Sequence, residues 1–111
     1  MEVTFADRKL ARDCSSVRSA AAAFGAVRGR KIRSRLDQMA AAHNLEVLRH
    51  APGRCHELRG DRAGQLSLDL DGPYRLIFEP VPSPPAVRED GGLDWSSVQA
   101  VHVVAIVDTH R

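Results

Sequence analysis

Two cysteines, Cys14 and Cys55, are all that 111 residues contain. They stand far apart, with no CxxC and no histidine at finger spacing, which argues against a zinc site. Cys14 falls on the apolar face of an expected helix, where a buried free thiol is the natural reading. No apolar run approaches the ~20 residues that span a bilayer. The opening Met1–Asp7 lacks the basic start and apolar middle of a secretion signal. A cytoplasmic chain without a membrane partner is therefore expected. GDRAG has no following helix and no GK[ST] ending, so it is not a phosphate-binding P-loop, and no GxSxG elbow occurs.

What is present suits one domain, residues 1–111, with 43% hydrophobic and 27% charged residues. The net charge of +2 hides an asymmetry. Residues 1–62 hold 13 of the 16 Lys/Arg and 7 of the 14 Asp/Glu, so the first part is basic and the rest acidic. A basic face that meets a polyanion or an acidic partner would explain this, and so would a solvated helix.

Leu10, Cys14, Val17, Ala21 and Phe24 recur at spacings of three and four, which predicts one amphipathic helix between an Asp7 N-cap and a Gly25 stop. A second helix is expected from Val27 to Ala42, with Ile32, Leu36, Met39 and His43 inside. Arg28, Arg30, Lys31, Arg33 and Arg35 surround its other faces, a dense basic cluster that suits a polyanion such as RNA or a solvated face. Gly29 should weaken its first turn by roughly 1 kcal/mol. Asn44 caps a short helical turn ended by Pro52-Gly53. After Pro52 the period becomes two. Arg54–Arg59, Leu66–Leu70, Tyr74–Glu79 and Val98–Val107 read as strands, with Glu2–Phe5 a short first one, Asp71-Gly72 a hairpin turn, and a Pro/Gly-rich loop insertion at about 80–96. The order describes an α+β domain, with a short N-terminal strand and two helices packed on one face of an antiparallel sheet.

Among the histidines, His43, His50 and His102 suit capping, helix-end or structural roles. His56 lies on the strand that begins the sheet, His110 follows the strand that ends it, and Arg75 sits between. Adjacent strands would bring the three to one concave face. Two histidines and arginines suit RNA cleavage by internal attack: one group takes the 2′-OH proton, another protonates the leaving 5′-oxygen, and guanidinium holds the charged phosphorane. Such chemistry needs no metal and no cofactor. A solvated or structural role for the same side chains stays open on residues alone.

The run CHELRGDRAGQLSLDL with PYRLIFEP, joined by REDGGLDW and VVAIVDTHR, resembles the HigB-like branch of the RelE/ParE toxin superfamily over nearly the whole chain. The resemblance implies the RelE/ParE-like toxin fold. It further implies a type II toxin–antitoxin toxin that cuts mRNA on the ribosome. A HigA-like helix-turn-helix antitoxin would neutralise it, and operator DNA would be reached only through that antitoxin. Residue by residue, His56 matches the catalytic strand histidine and Arg75 the central-strand arginine. Asp108 and His110 match the ends of the family's Asp-Tyr-His, and Arg59 stands for a nearby basic residue. Arg54, Arg59 and Arg62 are then substrate-binding candidates. Thr109 replaces the family tyrosine, whose ring would stack on a base, and Tyr74 and Trp95 are the rings that would have to substitute. Two alternatives follow: a ParE-like gyrase inhibitor on the same fold, or a catalytically weakened toxin serving mainly as antitoxin partner and co-repressor.

Overall fold

Helix starts fall where short polar side chains precede apolar periodicity. The computed structural model describes residues 1–110. It begins with β1 (Glu2–Phe5), α1 (Arg8–Asp13), α2 (Val17–Phe24), α3 (Ala26–Ala41) and α4 (Leu45–Arg49). Asp7 caps α1 through the Leu10 amide, and Asn44 caps α4 through the Val47 amide. The single long helix expected over residues 8–24 is two helices. Ser16 accepts a hydrogen bond from the Ser19 amide at 3.0 Å and starts α2 afresh, so the local cap overrides the continuing apolar period. Gly25, at φ 91°, makes the turn from α2 into α3. Gly29 has a purpose that helix propensity hides. A β-carbon there would lie 2.6 Å from the Ala21 amide nitrogen, so the glycine lets α2 and α3 touch backbone to backbone.

The remaining strands are β2 (His56–Glu57), β3 (Leu66–Asp69), β4 (Tyr74–Val81) and β5 (Ala100–Asp108). They form one sheet in the order β1-β5-β4-β3-β2. The expected antiparallel sheet is mixed: β1 runs parallel to β5, with Val3 beside Val101 and Phe5 beside Val103. Four residues carry no signal of direction when their partner lies near the far end of the chain. The strand expected at Arg54–Arg59 shrinks to two residues, because Arg59 leads into a 3₁₀ turn at Gly60–Arg62.

Strand alternation gives the sheet two unlike faces. Leu66, Leu68, Leu76, Phe78, Val101 and Val103 meet Ile32, Leu36, Met39, Leu45 and Leu48 of the helices in the core. His43, expected inside, is exposed, and Ala42 is buried in its place. The loop after β4 is tied back by a bridge between Val87 and Leu93, and buries Leu93, Trp95 and Val98. Cys14 and Cys55 are both buried free thiols, and burial pushes them up to about 11 and about 12.

Candidate functional site on the open face of the sheet

The second face carries polar side chains around a buried centre of Ser67 and Ile77. Its residues follow from register: His56 stands opposite Ser67, Ser67 opposite Ile77, and Ile77 opposite Ala105. One pair along, Asp69 faces Arg75, and Arg75 faces Val107. His56 and Arg75 are thus on one face, two strands and about 10 Å apart across the sheet.

The backbone before β2 is shaped to hold the histidine. Arg54 has φ 51°, in the left-handed region that non-glycine residues rarely occupy. Its carbonyl lies 2.8 Å from His56 Nδ1. A carbonyl only accepts, so Nδ1 carries the proton and Nε2 of the neutral ring keeps its lone pair. That tautomer leaves Nε2 as the nitrogen for proton transfer.

Asp69 organises the arginines. Its Oδ1 takes Arg75 Nε at 2.9 Å, and its Oδ2 takes Arg54 Nε at 3.0 Å. Arg75 also donates from Nη1 to the carbonyls of Gly72, at 2.9 Å, and Tyr74, at 2.8 Å. Asp69 is fixed through its own backbone, its amide donating to Gly53 at 2.7 Å and its carbonyl accepting from Arg35 Nε at 2.8 Å. Ser67, opposite His56, is 1% exposed, and its hydroxyl has no hydrogen-bond partner among the described residues. The sequence marks neither Asp69 nor Ser67. The polar alternation of β3 is the one trace of them, and it reads equally as a solvated strand face.

The other expected site residues divide. Asp108 pairs with Tyr74, which places it on the helix-bearing side rather than with Arg75. Its Oδ1 accepts the His110 amide at 2.8 Å, and His110 is exposed beyond the end of β5. The expected meeting of His56, Arg75 and His110 therefore holds in register for the first two only. Arg59 is exposed, and Arg62 is half-buried with Nη1 on Gln65 at 3.1 Å. The basic cluster of α3 is not one surface. Arg35 is 8% exposed and bonded inside. Arg33 donates to the Cys14 carbonyl at 2.6 Å and to Asp37 at 2.8 Å. Arg28 grips both Asp71 oxygens at 3.1 Å and lies 3.3 Å over the Tyr74 ring. Arg30 and Lys31 remain as exposed cations. Helical spacing counts charges but not the partners that an adjoining hairpin supplies.

The same geometry removes both substitute rings. Tyr74 belongs to the helix-bearing face beneath Arg28, and Trp95 is 7% exposed beneath Arg49. No aromatic residue occupies a register position on the open face among the described residues. Nor do any three His, Cys, Asp or Glu side chains gather as metal ligands would, among the same residues.

What the arrangement offers is a histidine with one nitrogen committed to the backbone, two arginines and a carboxylate between them, at the rim of a face whose centre, Ser67 and Ile77, is buried. No family model matches the chain, and no curated protein matches it. A solved structure, the YoeB/ParE toxin from Agrobacterium tumefaciens, aligns over 100% of both chains with a TM-score of 0.60. The fold is that of a YoeB/ParE toxin. Sequence identity is 15%, so the likeness speaks for the architecture and not for any side chain of the open face.

Proposed function

We propose that this chain is the toxin of a type II toxin–antitoxin pair, a metal-independent endoribonuclease acting on ribosome-bound mRNA in the cytoplasm. A HigA-like helix-turn-helix antitoxin would neutralise it. The observation that carries the reading is His56, whose Nδ1 is held by the Arg54 carbonyl while Arg75 stands on the same face. His56 Nε2 would take the 2′-OH proton, and the guanidinium groups of Arg75 and Arg54 would stabilise the phosphorane. His110, exposed beyond the end of β5 with its amide held by Asp108 Oδ1, is the candidate acid for the leaving 5′-oxygen. Arg59 and Arg62 would extend the grip along the RNA, and Arg30 and Lys31 are the part of α3 that remains for ribosomal phosphates.

The test is induced expression with and without the neighbouring helix-turn-helix protein, while mRNA ends are mapped. Growth arrest with new ends inside translated frames, both lost in His56→Ala, is the expected result. Arrest without new ends, accompanied by inhibition of supercoiling by purified gyrase, would favour the ParE-like reading instead. One observation favours a slow enzyme: among the described residues the open face has no Phe, Tyr or Trp ring, and Thr109 spends its hydroxyl on the Pro73 carbonyl at 2.6 Å. A toxin so weakened would act chiefly as antitoxin partner and co-repressor.

A further inference from the structure

We infer that Asp69 is a built-in competitor for the anion that the open face binds, holding Arg54 and Arg75 together and setting how tightly a phosphate is gripped. The inference rests on the phosphodiester reading of that face. Both arginines present Nε to the same carboxylate, at 3.0 and 2.9 Å, and Arg54 adds a longer Nη2 contact at 3.5 Å. A carboxylate with two oxygens, each engaged by a different guanidinium, has the donor pattern of a phosphate with two non-bridging oxygens. The two arginines differ in how firmly they are held. Arg75 is tied on Nη1 to two carbonyls, whereas the Arg54 side chain is 70% exposed and, among the described residues, bonds only Asp69. An arriving phosphate would therefore draw Arg54 away first and share Arg75 with Asp69. The carboxylate itself stays, because its residue is pinned through the backbone by Gly53 and the buried Arg35. It thus keeps a fixed negative charge beside the bound anion and discriminates against weakly held ones. Asp69 acts through the arginines and is a positioning residue.

A charge count gives the test its internal control. The wild-type trio carries two positive charges and one negative. Asp69→Asn keeps both positive charges unopposed, Arg54→Gln leaves a neutral pair, and the double variant restores a single net positive charge. Binding of a 2′-O-methyl RNA hexanucleotide, which cannot undergo internal attack, is measured across a salt series. Asp69→Asn should bind roughly three- to tenfold tighter, the effect of a unit charge a few ångström from a phosphate near water. Its salt slope should steepen by about 0.7. Arg54→Gln should weaken binding, and the double variant should return close to wild type. A merely structural Asp69 would give weaker binding in Asp69→Asn and no recovery in the double variant, and either result overturns the competition. The wild-type chain offers a check that needs no variant. Inorganic phosphate should shift the Nε–Hε resonances of Arg54 and Arg75 together, and resonances unmoved by phosphate overturn it as well. Cleavage separates the two ideas. RNA cut normally without tightening in Asp69→Asn sinks the competition and leaves the nuclease. Tightening without any cleavage keeps the competition and removes the nuclease.

Discussion

Two sets of arginines in this molecule are indistinguishable by composition and opposite in use. Arg28, Arg33 and Arg35 of α3 point their charge at carbonyls, carboxylates and a ring of the same chain. Arg54 and Arg59 are exposed beside the β2 edge, and Arg75 is half-buried on the second face of the sheet. The first set joins layers. Arg28 ties α3 to the β3–β4 turn through Asp71, and Arg35 reaches from the same helix to the Asp69 carbonyl. Of the second set, Arg54 and Arg75 share the Asp69 carboxylate, Arg75 adds the Gly72 and Tyr74 carbonyls, and Arg59 is exposed. A guanidinium is a planar fork of five donors, so it is as good a structural clamp as a phosphate ligand. Which it becomes depends on whether acceptors of the same chain reach it first.

The comparison is broken most decisively through activity. His56→Ala should lower single-turnover cleavage of ribosome-bound mRNA by about 10²–10⁴-fold, the usual worth of a positioned proton-transfer group. Arg75→Gln should lower it by about 10²–10³-fold, as expected for a donor to the charged intermediate. Both should leave urea stability within about 1 kcal/mol of wild type, since each side chain is partly solvated and its pairing contributes little. Cleavage unchanged in both variants would show that the open face is not the site of chemistry.

Arg35→Ala should show the reverse pattern. It strands the Asp69 carbonyl and empties the space beside Gly53, where a β-carbon would already lie 2.8 Å from Arg35 Nε. A loss of about 2–3 kcal/mol in urea unfolding is expected. Arg28→Ala, losing its two contacts to Asp71 and its stack on Tyr74, should cost about 1–2 kcal/mol. Arg30→Gln and Lys31→Gln should cost less than about 0.5 kcal/mol. Equal stability in all four would mean that α3 is the solvated basic helix its sequence suggests. Gly29→Ala sharpens the same boundary between α2 and α3. Helix propensity alone promises a gain of about 1 kcal/mol, whereas overlap with the Ala21 backbone should turn it into a loss of about 1–3 kcal/mol.

The sequence made much of this legible where the signal is local. Asp7 and Asn44 cap their helices as their position before apolar periods implies, and Leu66 and Leu68 are core because they alternate. Cys14, one turn beyond Leu10 at the C-cap of α1, is buried in the core as its spacing implies. What escaped depends on partners distant in sequence. The parallel direction of β1 is fixed by residues about 98 positions away, as the Thr4 contact with His102 records. The burial of Arg35 needs the Asp69 carbonyl, and the loss of Tyr74 as a stacking ring needs Arg28. At the site, His56 and Arg75 were readable as residue types on strands. Asp69 was not, because an acidic residue in an alternating strand looks solvated until two arginines are found on it.

Thr109 offers the smallest and most discriminating change. Its amide donates to the Pro73 carbonyl at 2.9 Å, which carries the β5 ladder one residue past Asp108. By alternation it follows Val107, whose partner is Arg75, so a larger side chain there would enter the open face. Thr109→Tyr gives up the hydroxyl bond to Pro73, an exposed interaction worth about 0.5–1 kcal/mol, and keeps the backbone bond. In exchange it places a ring beside the only arginine of β4. A base stacked on a ring is worth about 1–3 kcal/mol, and about 1.4 kcal/mol realised in the transition state is a tenfold rate. Single-turnover cleavage should therefore rise by about tenfold while stability falls slightly. Because neither Tyr74 nor Trp95 reaches this face, no ring already present would mask the gain. A rate that stays unchanged, in a variant that still binds the hexanucleotide, would mean that the open face grips its substrate through phosphate alone. The two arginines and His56 would then account for all of its chemistry.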